Sequence, residues 1–254
     1  MFTVRAVCTL LLIAALASQL ALAQSSQGFA KSYVGKAFLL RERGSEDTTV
    51  KVKKDDLTRF KGSCDHAVEV ADEKYSKDTF QFDVVQIGTV VNINGQSLCP
   101  HSAAHTSKIL ISGFTGQETQ TELADAIGQV LMSPEAFLLS HGVTPVPAIE
   151  DPREPAQPAA GAGISTPPRA LLMVNAGYPE GERLAGGGGA VKVNTTIGRD
   201  GKLYDFEIAS GGNSAFGAAA IVVLSLWRYQ PALDGNGQPF ATHTSITTTF
   251  FLKP

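Results

Sequence analysis

Residues 178–254 read YPEGERLAGGGGAVKVNTTIGRDGKLYDFEIASGGNSAFGAAAIVVLSLWRYQPALDGNGQPFATHTSITTTFFLKP, and this stretch decides the fold. From Gly189 to Ile197 the chain alternates, with Val191, Val193, Thr195 and Ile197 on one face. That is the period of a half-buried strand. Gly198-Arg199-Asp200-Gly201 supplies a turn. Lys202 to Ile208 then sets Leu203, Asp205 and Glu207 opposite Tyr204, Phe206 and Ile208. The pair predicts an antiparallel hairpin with one buried face. Ser210 to Ser214 breaks the pattern, and Asn213 or Ser214 is placed to cap a helix. The helix is expected from about Ser214 to Leu226, because Phe216, Ala219, Ala220, Val223 and Leu226-Trp227 recur at three- and four-residue spacing. Gln230-Pro231 is expected to end regular structure. Asp234-Gly235-Asn236-Gly237 reads as a turn with positive φ at its glycines. Phe240 to Leu252 reads as a long final strand that can pair on one side and leave an edge open.

The ordered set of motifs resembles the TonB C-terminal domain family over about 168–254. It runs YP, G-x-V-x-V-x-x-x-I-x-x-D-G-K, S-G, an Ala-rich helix, W-R-Y-Q-P-A, N-G-x-P and a terminal T-x-x-F. WRYQPA followed by a glycine turn and GQPF is the specific part. The resemblance implies a helix packed on a three-stranded antiparallel sheet, working in the periplasm as the receptor-contacting end of an energy transducer. A receptor peptide would add beside the last strand through main-chain bonds. The residues so implicated are Thr242, Thr244, Ser245, Ile246, Thr247, Thr248, Thr249 and Phe250. Tyr178, Pro179, Trp227, Arg228, Tyr229 and Pro231 carry the family signature and are read as packing residues. Transducers of that family keep a membrane helix bearing a histidine, and a long Pro-Lys/Pro-Glu spacer. Residues 6–23 hold no His, and the spacer is absent.

Upstream, the reading predicts a small α+β domain over 28–143. Strands are expected at Lys36 to Arg43, Thr79 to Asn94 and Lys108 to Phe114, with Asn94-Gly95 as a hairpin turn. Leu123, Ile127, Val130 and Leu131 have helical spacing within Thr119 to Met132. Ser133-Pro134-Glu135 starts a second short helix with Pro at its first position. Residues 144–168, TPVPAIEDPREPAQPAAGAGISTPP, hold seven of the 13 prolines. They read as a linker to a domain at 169–254, and if fully polyproline II they would span about 75 Å at ~3.1 Å per residue.

The first residues predict export. Arg5 precedes an apolar run, Ala6 to Ala23, that ends in Ala21-Leu22-Ala23 before Gln24. This fits a signal peptide, residues 1–23, cleaved near Ala23-Gln24, with a periplasmic or secreted product. An uncleaved anchor is the alternative. Export makes Cys64 and Cys99 a candidate disulfide, worth roughly 3 to 4 kcal/mol for a loop of about 35 residues. His101 and His105, with Cys99 and Cys64-Asp65-His66, have the donor types of a zinc site. Oxidation of the cysteines argues against one, so no metal or cofactor is expected. His141 and His243 show no sequence partner. Asp200, Asp205, Glu207 and Arg228 read as solvated charges. Gly186–Gly189 lacks the Gly-Lys-Ser/Thr of a phosphate loop.

The 254 residues carry 43% apolar residues, 18% charged residues and a formal charge of -3. No basic run favours nucleic acid, and no nucleophile, base and orienter stand together. The fold expected is α+β, and the function expected is peptide recognition by strand addition in the envelope. A structural, self-associating role and an anchored energy transducer are the alternatives.

Overall fold

The computed structural model describes residues 28–42, 49–54, 64–76, 78–97, 107–183, 188–211 and 214–250. The expected signal segment, Cys99, His101, His105 and the Cys64 side chain lie outside the described residues.

The upstream part is built from β1 (Ala37–Glu42), β2 (Thr49–Lys53), β3 (Cys64–Ser76), β4 (Thr79–Ile93), β5 (Gln96–Ser97) and β6 (Lys108–Ser112). Two helices follow, α1 (Gln120–Gly128) and α2 (Pro134–Ser140). Phe80, Phe82 and Val84 alternate inward on β4. Asn94 (φ 48°) and Gly95 (φ 86°) make the turn into β5, with both φ positive, as a two-residue type I′ hairpin requires. Thr119 and Glu122 form a capping box on α1, and Ser133 caps α2 ahead of Pro134.

The downstream part holds β7 (Ile164–Thr166), β8 (Arg169–Ala176), β9 (Gly189–Ile197), β10 (Leu203–Ser210), α3 (Ser214–Ser225), β11 (Arg228–Gln230), β12 (Ala232–Asp234), β13 (Pro239–Phe240) and β14 (Thr242–Phe250). The predicted hairpin is β9–β10, and the predicted helix is α3. Four details differ from the expectation, the first being that the final strand is broken at Ala241, with Phe240 of β13 pairing with Ala232 of β12 and β14 starting only at Thr242. Asp205 takes φ 56° and the register slips between Tyr204 and Glu207, so the strict alternation of β10 is lost and Ile208 is exposed. Pro231 does not end regular structure, because β11 and β12 flank it. In the following turn Gly237 has a positive φ and Gly235 does not.

β4 organises the larger sheet, whose order is β1-β3-β4-β6-β2. One edge of β4 pairs with β3. The other pairs first with β6, from Thr79↔Ser112 to Asp83↔Lys108, and then with β8, from Gly88↔Ala176 to Ile93↔Leu172. β11 continues from β8, and β2 joins β6 in parallel. A Cβ on Gly88 would collide with the Asn175 carbonyl of β8, so glycine permits this approach. The second sheet is antiparallel, in the order β10-β9-β14, and a small third one runs β13-β12-β7.

Residues on either side of 144–168 share one core. Leu39, Ala67, Val90 and Phe137 pack in the same cluster as Leu172, Val174, Val191, Phe216, Trp227 and Phe250. A second cluster around Phe80, Phe82, Ile109 and Leu131 belongs to the upstream part. Residues 144–168 do not stretch out as a polyproline spacer. The Arg199 N–H donates to the Pro152 carbonyl and the Ala241 N–H to the Pro155 carbonyl, both at 2.8 Å, while β7 pairs with β12. Proline lacks a donor but keeps its acceptor, so a Pro-rich segment can still be held by donors on the surface it crosses.

Candidate functional site

A strand edge is a row of unpaired backbone groups, and folded proteins ordinarily blunt or cover it. The strand edges of this molecule differ in how this is done. Leu39 on β1 exchanges both backbone bonds with Met132, at 2.9 Å each. β2 carries the exposed Lys51 and Lys53. β10 is broken by bulges between Tyr204/Glu207 and Ile208/Ser210. β14 has none of these devices. It pairs with β9 in unbroken register from Thr242↔Ile197 to Phe250↔Gly189, and no strand among the described residues pairs with its other edge. Its sequence, THTSITTTF, contains no Asp, Glu, Lys or Arg.

Side chains of β14 alternate. Thr242, Thr244, Ile246 and Thr248 are half-buried and Phe250 is buried, while His243, Ser245, Thr247 and Thr249 are exposed. Phe250 anchors the far end against Phe216, with ring centroids 4.8 Å apart. Backbone hydrogen-bonding direction also alternates along a strand. Ala241, one residue before β14, turns its N–H to Pro155 and not to β9. His243, Ser245, Thr247 and Thr249 share that parity, which directs their N–H and C=O groups to the free side.

The outer face of this sheet is polar. Ser245 Oγ donates to Asn194 Oδ1 at 2.7 Å, and Thr196 Oγ1 lies 3.1 Å from His243 Nδ1. An open cleft of about 690 Å³ lies here, lined by Asn194, Thr196, Asp205, Glu207, His243 and Ser245. Pro152, Arg153 and Glu154 wall a neighbouring depression of about 280 Å³. Arg153 Nη1 sits 3.0 Å from Asp205 Oδ1 across it.

Of the signature residues, Arg228 reaches the upstream part, and Trp227 lies in the core cluster that both parts share. Trp227 is 7% exposed, and its Nε1–H donates to the Val174 carbonyl of β8 at 2.9 Å. Arg228 Nε donates to Glu135 Oε1 of α2 at 2.8 Å. Burial works to raise the Glu135 pKa, but the hydrogen bond and charge of Arg228 outweigh it and hold the carboxyl below its ordinary value. The Tyr229 N–H donates to the Gly201 carbonyl, and burial pushes its phenol up to about 12. Pro231 is buried and Pro179 half-buried. The Tyr178 ring meets Phe216 edge-on at 5.4 Å.

Two expectations about charges and histidines need correction. Asp200 is not a solvated charge: it is 4% exposed and accepts the Tyr204 hydroxyl at 2.8 Å. Arg228 likewise turns to Glu135. His141, which has no partner in sequence, lies with Nε2 3.2 Å from Asp65 Oδ2 and donates from Nδ1 to the Phe137 carbonyl at 3.0 Å. Seventy-odd residues separate His141 from Asp65, and no local pattern could have shown the pair. His66 is buried and meets Gln86 Nε2 at 2.9 Å. Among the described residues no three His, Cys, Asp or Glu gather as metal ligands, and no helix is long and apolar enough to cross a membrane.

Comparison with known proteins gives the following. Residues 174–252 match the family model described as the Gram-negative bacterial TonB protein C-terminal. A structural search matches the solution NMR structure of the Pseudomonas aeruginosa TonB CTD. That match has 24% identity and a TM-score of 0.31, and it covers 34% of this chain and 88% of that one. No curated protein matches the chain. The resemblance carried by the hairpin, helix and WRYQPA junction therefore stands: residues 174–252 resemble the C-terminal domain of Gram-negative bacterial TonB proteins.

Proposed function

We propose that this protein is an exported, periplasmic binding module that recognises an extended peptide by strand addition to β14. The observation that carries the reading is the edge from Thr242 to Phe250, which has no bulge, no Asp, Glu, Lys or Arg, and no partner strand among the described residues. The family match over residues 174–252 supports an envelope role linked to transport. The partner is a peptide or receptor segment, such as the N-terminal stretch of an outer-membrane receptor. Affinity comes from main-chain bonds at His243, Ser245, Thr247 and Thr249, and the flanking side chains discriminate. The site uses no cofactor and performs no catalysis. A signal cleaved near Ala23-Gln24 and a Cys64–Cys99 disulfide complete the proposal.

Calorimetry of the full mature chain against a panel of outer-membrane receptor N-terminal peptides tests it. Binding is expected for at least one peptide and is expected to vanish in Thr247→Pro. Silence across the panel would remove the reading. Mass measurement of the exported protein decides its attachment. A product starting at Gln24 excludes the anchored transducer, and one retaining residues 1–23 revives it.

Self-association is the second reading. It is favoured by the absence of Asp, Glu, Lys and Arg from β14, the residues that blunt other strand edges. Light scattering over a concentration series separates the two, since a strictly monomeric protein excludes pairing of two β14 edges.

A further inference from the structure

The Pro-rich segment has a part in the site that nothing in its composition suggests. From Pro152 to Pro155 it crosses the end of the β10-β9-β14 sheet where β14 begins. Four bonds fasten it. The Arg199 N–H in the β9–β10 turn donates to the Pro152 carbonyl at 2.8 Å. Arg199 Nη1 donates to the Glu154 carbonyl at 2.7 Å. Arg153 pairs with Asp205 on β10 at 3.0 Å. The last fastening is the informative one. The Pro155 carbonyl accepts the Ala241 N–H at 2.8 Å, and Ala241 has the same parity as the free-edge residues of β14. Pro155 thus takes the place that the first residue of an added strand would take.

We infer that residues 152–155 are the end stop of the strand-pairing edge. They fix where an added peptide begins and hence its register. This deepens the proposed function and rests on it. Without a stop, a flat edge with repeating Thr would accept a strand in several registers, because neither charge nor bulge tells one from the next. With Pro155 on Ala241, the first free backbone position is His243 and the last ones lie beside the buried Phe250. The partner that fits is a short extended segment whose end abuts Pro155, and whose small or polar side chains lie beside Ser245, Thr247 and Thr249. A peptide obliged to continue in extended form past Ala241 is excluded, as is a long flat strand.

The test uses the full mature chain and a defined probe, a synthetic peptide with the β9 sequence GAVKVNTTI bearing a benzophenone at its C-terminal end. An antiparallel strand on β14 brings that end to the stop. In the unaltered protein, photo-crosslinks are expected on residues 152–156 and on Ala241 to His243. In the Arg153→Ala/Arg199→Ala protein they are expected to spread past the stop to Pro239 and Phe240. Asp205→Asn, which frees Arg153 and leaves the strap sequence intact, should give a partial spread. Circular dichroism checks that each variant is folded. Labelling that stays at one place in all three proteins overturns the end stop and leaves strand addition standing. Labelling that never reaches β14, or that survives Thr247→Pro, overturns strand addition itself and the end stop with it.

Discussion

Trp227 is the protein's single tryptophan, and it lies in the core cluster that the upstream and downstream parts share. Its indole holds the Val174 carbonyl, a buried acceptor. Trp227→Phe keeps most of the packing but leaves that carbonyl unpaired, which costs about 1–3 kcal/mol. Urea unfolding followed by circular dichroism measures this, since the fluorescent reporter is lost with the residue. One position further, Arg228 bonds Glu135 of the upstream part, and this pair makes the seam between the two parts sensitive to acid. The folded pKa of Glu135 lies below the ordinary 4.5, so the stability it contributes is fully present above 4.5 and is lost as pH falls through the folded value. Glu135→Gln should therefore lower stability at pH 7 by about 1 kcal/mol, the pair being partly solvated. The difference from the unaltered protein should shrink towards zero as the pH falls through the folded value. A gap that stays constant with pH would show that the carboxylate charge contributes nothing.

At the scale of the element, the two sides of β14 predict different consequences for proline. Proline at Thr247 removes an N–H on the free side and should spare most of the fold. At Thr248 it removes a donor to β9 and should cost about 3 kcal/mol, roughly 6–12 °C in Tm. Thermal melts of the two variants, read beside their peptide binding, check the assignment of parity. If Thr247→Pro were the more destabilising of the two, the free side would be the wrong one. The elements carrying this argument were legible in the sequence because their signals are local. Val191, Val193, Thr195 and Ile197 alternate, α3 has its apolar period, and Asn94-Gly95 turns. What was not legible depends on distant partners. β8 reads as the start of a domain, with Leu171-Leu172 breaking any alternation, until β4 is seen beside it. β3 carries Glu69, Asp72, Glu73 and Lys74, a charged run that becomes a strand by pairing with β4. On β10 the bulge at Asp205 overrides an alternation that the sequence displays plainly. The open edge itself was legible only through the family resemblance and the Thr-rich final run; its lack of bulges and its cap at Pro155 required the structure.

For the molecule as a whole, the common sheet and core predict that the upstream and downstream parts melt together. Calorimetry of the full chain should show one transition. A fragment of residues 169–254 should be less stable than the same residues in the full chain. It lacks the β4 partner of β8, the Glu135 partner of Arg228, and the apolar neighbours Leu39, Val90 and Phe137. Two well-separated transitions, or a fragment as stable as the whole, would show that the seam contributes little.

The length of β4 has a consequence in time. Its second half, Gly88 to Ile93, pairs with residues 172–176, which a ribosome supplies only after some eighty further residues, on the order of ten seconds later. Through that interval β4 holds β3 on one side and has no partner for the end of the other. A pulse of aggregation-sensitive, half-finished chain is built into the order of synthesis. Slowing translation between residues 94 and 169 should lower the yield of folded protein more than slowing it after residue 176.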